Sequence, residues 1–244
     1  MTLLVIDGVW NARDVGGIPA VSGRIASGRL LRSANLAGIT SEGARALSER
    51  VDRIVDLRAD DEVAMEPSAV QGVQTTHLPL FLGSVASFFE EDTSLDDLYA
   101  HLLEQSGPRL VEALRIVARG GRTLVHCTVG KDRTGVTVAL ALDAVGADRE
   151  AIIADYALTE SQLPVERNRR IAAYLRSQHP DARHVVALAT QSPAPVMRGL
   201  LASIDERWGS TPEYLRTQGM TDAELTALRD ALVEADGDGG SDPR

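Results

Sequence analysis

"RTLVHCTVGKDRTGVTVALALDAVG", Arg122 to Gly146, is the stretch on which the fold turns. Its first six residues, RTLVHC, are mostly apolar and β-branched, which predicts a short buried strand. The run from Arg133 onward, RTGVTVALALDAVG, is long and apolar enough for a buried helix. Between them Thr128, Val129, Gly130, Lys131 and Asp132 turn the chain. A strand, a tight loop and a helix in succession are one unit of an α/β layer fold. The junction also holds Cys127, the only cysteine in 244 residues. A thiol wanted for packing alone would sit more naturally inside the apolar run. Here the loop N–H groups and the free donors of the helix N-terminus converge into an anion-binding nest. The helix dipole and neighbouring cations favour the thiolate. Gly130 lets the backbone fold tightly, and Arg133 offers a planar fork for two phosphate oxygens. These residue types in this order suit nucleophilic attack on phosphorus.

Outward from the loop, the pattern alternates and then becomes helical. Short strands are expected at Arg24-Ile25, Arg29 to Ser33, Val51 to Arg58 and Val73 to Leu80. Helices are expected from Thr40 to Arg50, over GPRLVEALRIVARGG with Pro108 in the first turn and Gly120 past the end, and over 148–160, 164–178 and 195–208. Two capping boxes, Ser210 with Glu213 and Thr221 with Glu224, announce the last helices. Residues 84–107 place Phe88, Phe89, Leu95, Leu98, Tyr99 and Leu102 at helical spacing between Gly83 and Gly107. They are expected to form a helical lid with glycine hinges. The fold class is therefore α/β: a central sheet flanked by helices, a helical lid and a helical C-terminal part, all in one domain over 1–235. The tail 236–244 carries nothing to bury and is expected to be disordered.

Composition limits the function. Hydrophobic residues make up 44% and charged residues 25%, an ordinary globular mixture, but aromatics only 4%, so aliphatic side chains must build the core. A net charge of −10 argues against nucleic acid or an anionic membrane as a partner. The longest apolar run is far short of the ~18 residues that a membrane span needs, so no stable insertion is expected. The N-terminus lacks the basic region of a signal peptide, and one cysteine cannot make an internal disulfide. The cytoplasm is the expected compartment, with leaderless export left open. His77, His101, His179 and His184 lack metal-ligand spacing, and neither a metal nor any other cofactor is expected.

The pattern His-Cys-x5-Arg-Thr resembles the loop of cysteine-dependent phosphatases. More closely, the chain is similar to a bacterial protein tyrosine phosphatase family with mycobacterial members, whose loop reads His-Cys-x-x-Gly-Lys-Asp-Arg-Thr-Gly. NARDVGG, LLRSANL, IVDLR, HLPL, ADYALTE and the C-terminal YLR…GMT extend the likeness from Asn11 to Glu234. The resemblance implies a phosphatase-type fold, a phosphocysteine intermediate, no metal, and phosphotyrosine substrates, with phosphoserine, phosphothreonine or phosphoinositides in some members. It implies Cys127 as nucleophile, Arg133 as transition-state clamp and Thr134 as hydrogen-bond donor to the sulfur. His126 would support the loop, and Thr128, Val129, Gly130, Lys131 and Asp132 would cradle substrate.

A phosphate-binding pseudophosphatase and a rhodanese-type sulfurtransferase are the competing readings. Two departures concern the general acid. No Trp-Pro-Asp loop exists, and HLPL runs on into Phe81-Leu82-Gly83. Asp132 is the first candidate, followed by Asp92, Asp96 or Asp97 from the lid and then by the acids of 56–61. The acids Asp56, Asp60, Asp61, Glu62, Glu90, Glu91 and Asp92 otherwise read as surface. So do Arg167, Arg169, Arg170 and Arg176, with docking of an acidic substrate or a lipid headgroup as the alternative. Lys131 would add a second cation beside Arg133 and favour substrates with more than one phosphate. Arg58 is balanced between facing the cleft and not, and RDVGG is expected to buttress the site.

Overall fold

Six strands align in the order β1 (Thr2–Leu3), β2 (Arg13–Asp14), β5 (Leu30–Ser33), β8 (Thr123–His126), β6 (Arg53–Asp56) and β7 (Gln74–His77) in the computed structural model. The structure describes residues 1–80 and 86–235. Strands β5, β8, β6 and β7 run parallel, while β1 and β2 add an antiparallel edge. A smaller antiparallel sheet joins β3 (Pro19–Ala20), β4 (Gly23–Ile25) and β9 (Val233–Glu234). All four residues of β8 are buried, as expected of a parallel strand covered on both faces. Alternation with a period of two divides the sheet faces. Leu30, Val55 and Val125 enter the larger core, whereas Leu31, Ile54 and Leu124 enter a smaller one with Leu36 and Leu47. Register brings Ser33, His126, Asp56 and His77 level at the carboxyl ends of the parallel strands. That edge is where open α/β sheets hold ligands.

The helices are α1 (Ser41–Ser48), α2 (Asp60–Met65), α3 (Ala86–Glu90), α4 (Leu95–Gln105), α5 (Gly107–Ala118), α6 (Asp132–Ala144), α7 (Arg149–Gln162), α8 (Val165–Gln178), α9 (Val185–Thr190), α10 (Ala194–Trp208), α11 (Thr211–Thr217) and α12 (Asp222–Leu232). The mixed sheet flanked by helices is the expected α/β class. Caps act where the sequence places them: Thr40, Ser94, Asp148, Ser210 and Thr221 each accept an N–H three residues on. Only at Thr221 is the box reciprocal, with Glu224 accepting from the Thr221 N–H at 2.8 Å. Helix α6 is buried almost throughout, its small and aliphatic residues filling the space between the sheet, α5 and α7.

Three elements differ from expectation. The acidic 60–65 stretch is a helix. Residues 185–190 form a further helix that packs on α8. The 84–107 stretch divides: α3 stands over the carboxyl edge, whereas α4 buries Leu95, Leu98, Tyr99, Leu102 and Leu103 in the main core. The proposed hinge Gly83, the sequence Phe81-Leu82 and the tail 236–244 lie outside the described residues. Among the described residues no helix is long and apolar enough to cross a membrane.

Candidate active site

The chain leaves β8 at His126 and enters α6 at Asp132, with Cys127 to Lys131 forming the loop. Gly130 has φ +70°, and a Cβ there would lie 2.2 Å from the Ser33 carbonyl oxygen, so both conformation and close approach require glycine. The Thr128 carbonyl accepts the Asn35 N–H at 3.1 Å, a second tie to the segment after β5.

Loop shape is held from below by a buried polar network. Asn11 adopts φ 58°, a region asparagine tolerates better than most residues. Its Nδ2 donates to the carbonyls of Val129 and Gly130, each at 3.1 Å. Arg32 Nη2 donates to the Gly130 carbonyl at 2.8 Å. Asp155 on α7 accepts from Arg32 Nη1 at 2.5 Å and from Arg13 Nε at 2.7 Å. Burial pushes the Asp155 carboxyl up, but Arg32 and Arg13 outweigh it and hold it below the ordinary value. Burial pulls Arg13 down to about 10, with Arg32 adding to the fall and Asp155 opposing it. Thus RDVGG and ADYALTE meet beneath the loop, and RDVGG buttresses the site as expected.

The functional side chains converge at the loop. Cys127 lies buried on the floor of a cavity of about 640 Å³. Arg133, in the first turn of α6, is gripped by Glu62: Nη2 to Oε1 is 2.8 Å and Nη1 to Oε2 is 2.5 Å. Thr128 Oγ1 also donates to Glu62, whose carboxylate accepts the Ala59 N–H at 2.8 Å as well. Burial raises the Glu62 carboxyl, yet the hydrogen bonds and charge of Arg133 prevail and hold it at about 2. The same pair, with Cys127 and Asp132 nearby, raises Arg133 against its own burial. Glu62 therefore does not belong to the surface, where its sequence context put it. It fixes the plane of the guanidinium.

Asp132 faces the cavity and accepts from the Tyr99 hydroxyl at 2.9 Å and from Lys131 Nζ at 2.8 Å. The Tyr156 hydroxyl lies 2.7 Å from that of Tyr99. Burial, then the charge of Asp132, pushes Tyr99 well above its ordinary value, so the phenol stays a neutral donor. Lys131 is buried and also donates to the Gln191 carbonyl at 2.7 Å. It thus lines the cavity while pairing with an acid and a carbonyl. Thr134 Oγ1 is buried with no hydrogen-bond partner among the described residues. Behind the loop, His126 Nδ1 stands 3.2 Å from the Cys127 carbonyl and Nε2 stands 3.7 Å from Asp56 Oδ2. Burial lowers His126 despite Asp56. Asp56, itself pushed up by burial, is held down by hydrogen bonds from Arg58 and by His126.

Arg58 pairs with Asp56 at 2.7 Å and is fully buried outside the cavity lining, which settles its orientation away from the cleft. Asp92 accepts the N–H groups of Arg183 and His184, tying the end of α3 to the approach of α9. Asp96 and Asp97 stand in the first turn of α4, outside the cavity lining, with Asp97 in the cap of that helix. The cavity walls come from α3 with Phe88 and Phe89, from α9 with Leu188, and from α8 with Arg167, Ile171 and Leu175. The arginines of helix α8 were expected on a solvated face. Arg169, Arg170 and Arg176 are exposed there, while Arg167 turns to the cavity. Among the described residues no group of three or more His, Cys, Asp or Glu side chains could hold a metal ion.

The profile of the tyrosine phosphatase family matches residues 4–234. The triple specificity protein phosphatase PtpB of Mycobacterium tuberculosis is 28% identical, over 96% of this chain and 100% of its own. A putative tyrosine-protein phosphatase of Cupriavidus necator is 31% identical, over 87% of this chain and 82% of its own. The crystal structure of P. aeruginosa TpbA shares 22% identity, over 71% of this chain and 95% of its own, with a TM-score of 0.36. With the match running through nearly every element that builds the cysteine loop and its braces, the chain belongs to the tyrosine phosphatase family.

Proposed function

We propose that this protein hydrolyses phosphotyrosine in proteins through a cysteinyl phosphate. Cys127 Sγ attacks phosphorus and the tyrosine oxygen leaves, taking a proton from Asp132. Water then attacks the phosphocysteine, Asp132 takes back a proton, and the thiolate and inorganic phosphate separate. The loop N–H groups and Arg133 meet the charge on the transferring phosphoryl oxygens. Thr134, whose hydroxyl is buried beside the loop, stabilises the departing sulfur. Thr128, Val129, Gly130 and Lys131 shape the cradle and His126 supports it from behind.

The observation that carries this reading is the Gly130-turned loop, which sets Cys127 on the cavity floor with Arg133 held beside it. The apolar walls from Phe88, Phe89 and Ile171 suit an aryl phosphate. Phosphoserine, phosphothreonine and phosphoinositides belong to the same proposal as further substrates, as does a cytoplasmic site of action. So does a single phosphatase domain over 1–235, with α3, α8, α9 and Leu98 of α4 lining the cavity. Cys127→Ser is expected to abolish hydrolysis of an aryl phosphate while still binding vanadate, and chelators are expected to leave the wild type unaffected. A wild type that binds phosphate but shows no burst with an aryl phosphate would instead be a pseudophosphatase.

A further inference from the structure

Among the described residues, the arginines and the lysine packed around the loop and its cavity each have an acidic partner, save Arg167. Arg133 pairs with Glu62, Arg13 and Arg32 with Asp155, Arg58 with Asp56, and Lys131 with Asp132. Arg167, on the cavity face of α8, meets no carboxylate among the described residues. Its Nη1 donates only to the neighbouring Asn168 Oδ1 at 2.9 Å. Yet the side chain is partly withdrawn from water, and burial pulls its guanidinium below the ordinary value. In a chain of net charge −10, acids to pair it are plentiful, and none of the described ones is placed against it. A partly desolvated guanidinium without an anion is costly, and the cost is recovered when a ligand supplies one.

The cavity is larger than one phosphoryl group requires. Its volume of about 640 Å³ lies within the range that whole small-molecule ligands fill. Phe88, Ile171, Leu175 and Leu188 line it around Arg167. Away from the loop, where Arg133 pairs with Glu62 and Lys131 with Asp132, this stretch of wall sets one further cation among apolar side chains, which fits a ligand with an aromatic body and a second negative charge.

We infer that Arg167 is a specificity residue that binds a second anionic group on a phosphotyrosine peptide, an acidic or phosphorylated side chain close to the scissile phosphotyrosine. The inference rests on the phosphatase reading above and names the substrate class it prefers. It also moves the task of reading a second negative charge from Lys131, which is already paired, to α8. A guanidinium is suited to that task because its planar fork matches a carboxylate or phosphate edge.

The test compares wild type with Arg167→Gln and Arg167→Lys on a phosphoinositide presented in vesicles and on three soluble substrates. The soluble ones are a small aryl phosphate, a phosphotyrosine peptide with glutamates on both sides, and the same peptide with glutamines. Wild type should prefer the glutamate peptide in kcat/KM by about ten-fold or more, the usual scale of a charge-assisted hydrogen bond. Arg167→Gln should lose that preference through KM, measured relative to its rate on the aryl phosphate, and Arg167→Lys should restore part of it. An equal preference in wild type and Arg167→Gln would overturn the inference, as would an equal loss on all three substrates. A loss confined to phosphoinositide presented in vesicles would overturn it in favour of a membrane substrate. No turnover of any substrate by wild type would remove the phosphatase reading itself, with this inference following it.

Discussion

Asp132 stands one residue before Arg133, faces the cavity and receives hydrogen bonds from Tyr99 and Lys131. Among the acids considered for proton transfer, it is the one whose geometry suits the task. Asp56 is locked behind the loop by Arg58, Asp92 is tied to the backbone before α9, and Asp97 caps α4. Glu62 does reach the cavity, but Arg133 holds it at about 2, so at neutral pH it carries no proton to give. A phenoxide of high pKa leaves slowly unless it is protonated as the bond breaks. Asp132→Asn is therefore expected to slow substrates with poor leaving groups by roughly 10²–10⁴-fold and good ones far less. Rates measured across a series of substituted aryl phosphates decide this. A uniform loss along the series would reduce Asp132 to a loop-shaping residue, and proton donation would have to come from elsewhere.

The loop works as part of three elements clamped together, not as an isolated turn. Strand β2 supplies Arg13, β5 supplies Arg32, and α7 supplies the single carboxylate, Asp155, that both grip. Removing that charge leaves two buried guanidiniums unmatched. Breaking a buried pair in this way costs on the order of 3–5 kcal/mol. Asp155→Asn should therefore lower the thermal midpoint and, because Arg32 also holds the Gly130 carbonyl, weaken vanadate binding. A variant with unchanged vanadate affinity would show that the loop keeps its shape without Asp155, through the ties from Asn11, Asn35 and Arg32 itself. Elements such as β8, α5 and α6 were legible in the sequence because periodicity, Pro108 and the glycine-marked turn are local signals. Helix α2 was not, since an acidic six-residue stretch carries no apolar period. Nor was the contact of Glu62 with Arg133, which joins residues 71 apart through strand pairing that one sequence does not display. Helix α8 was legible only in part for a related reason: its four arginines suggest a wet surface, which holds for Arg169, Arg170 and Arg176. Only packing on α9 shows that the Arg167, Ile171 and Leu175 stripe faces inward.

At the scale of the whole molecule, the site's buried ionisable groups make folding sensitive to acid. Burial lowers His126, so the folded state resists its protonation while the unfolded chain accepts a proton near the ordinary value of 6.5. A depressed folded value means stability is fully present above that ordinary value and is lost as pH falls below it. The carboxyls of Asp56, Asp155 and Glu62 are also depressed, held down by Arg58, by Arg32 and Arg13, and by Arg133. Their contribution has the same sign but a lower window, intact above the ordinary carboxylate range and lost beneath it. Urea unfolding followed from pH 8 downward should therefore show two declines. The first begins near pH 6.5 with a slope approaching, at most, about 1.4 kcal/mol per pH unit for one histidine, and the second begins below about pH 4. Replacing the imidazole assigns the first decline. His126→Asn should be less stable than wild type at pH 8 because it empties part of a packed site, yet its curve should stay flatter between pH 6.5 and 5. If that variant keeps the wild-type slope, the proton uptake belongs to other histidines, and the buried His126 behind Cys127 does not couple folding to pH.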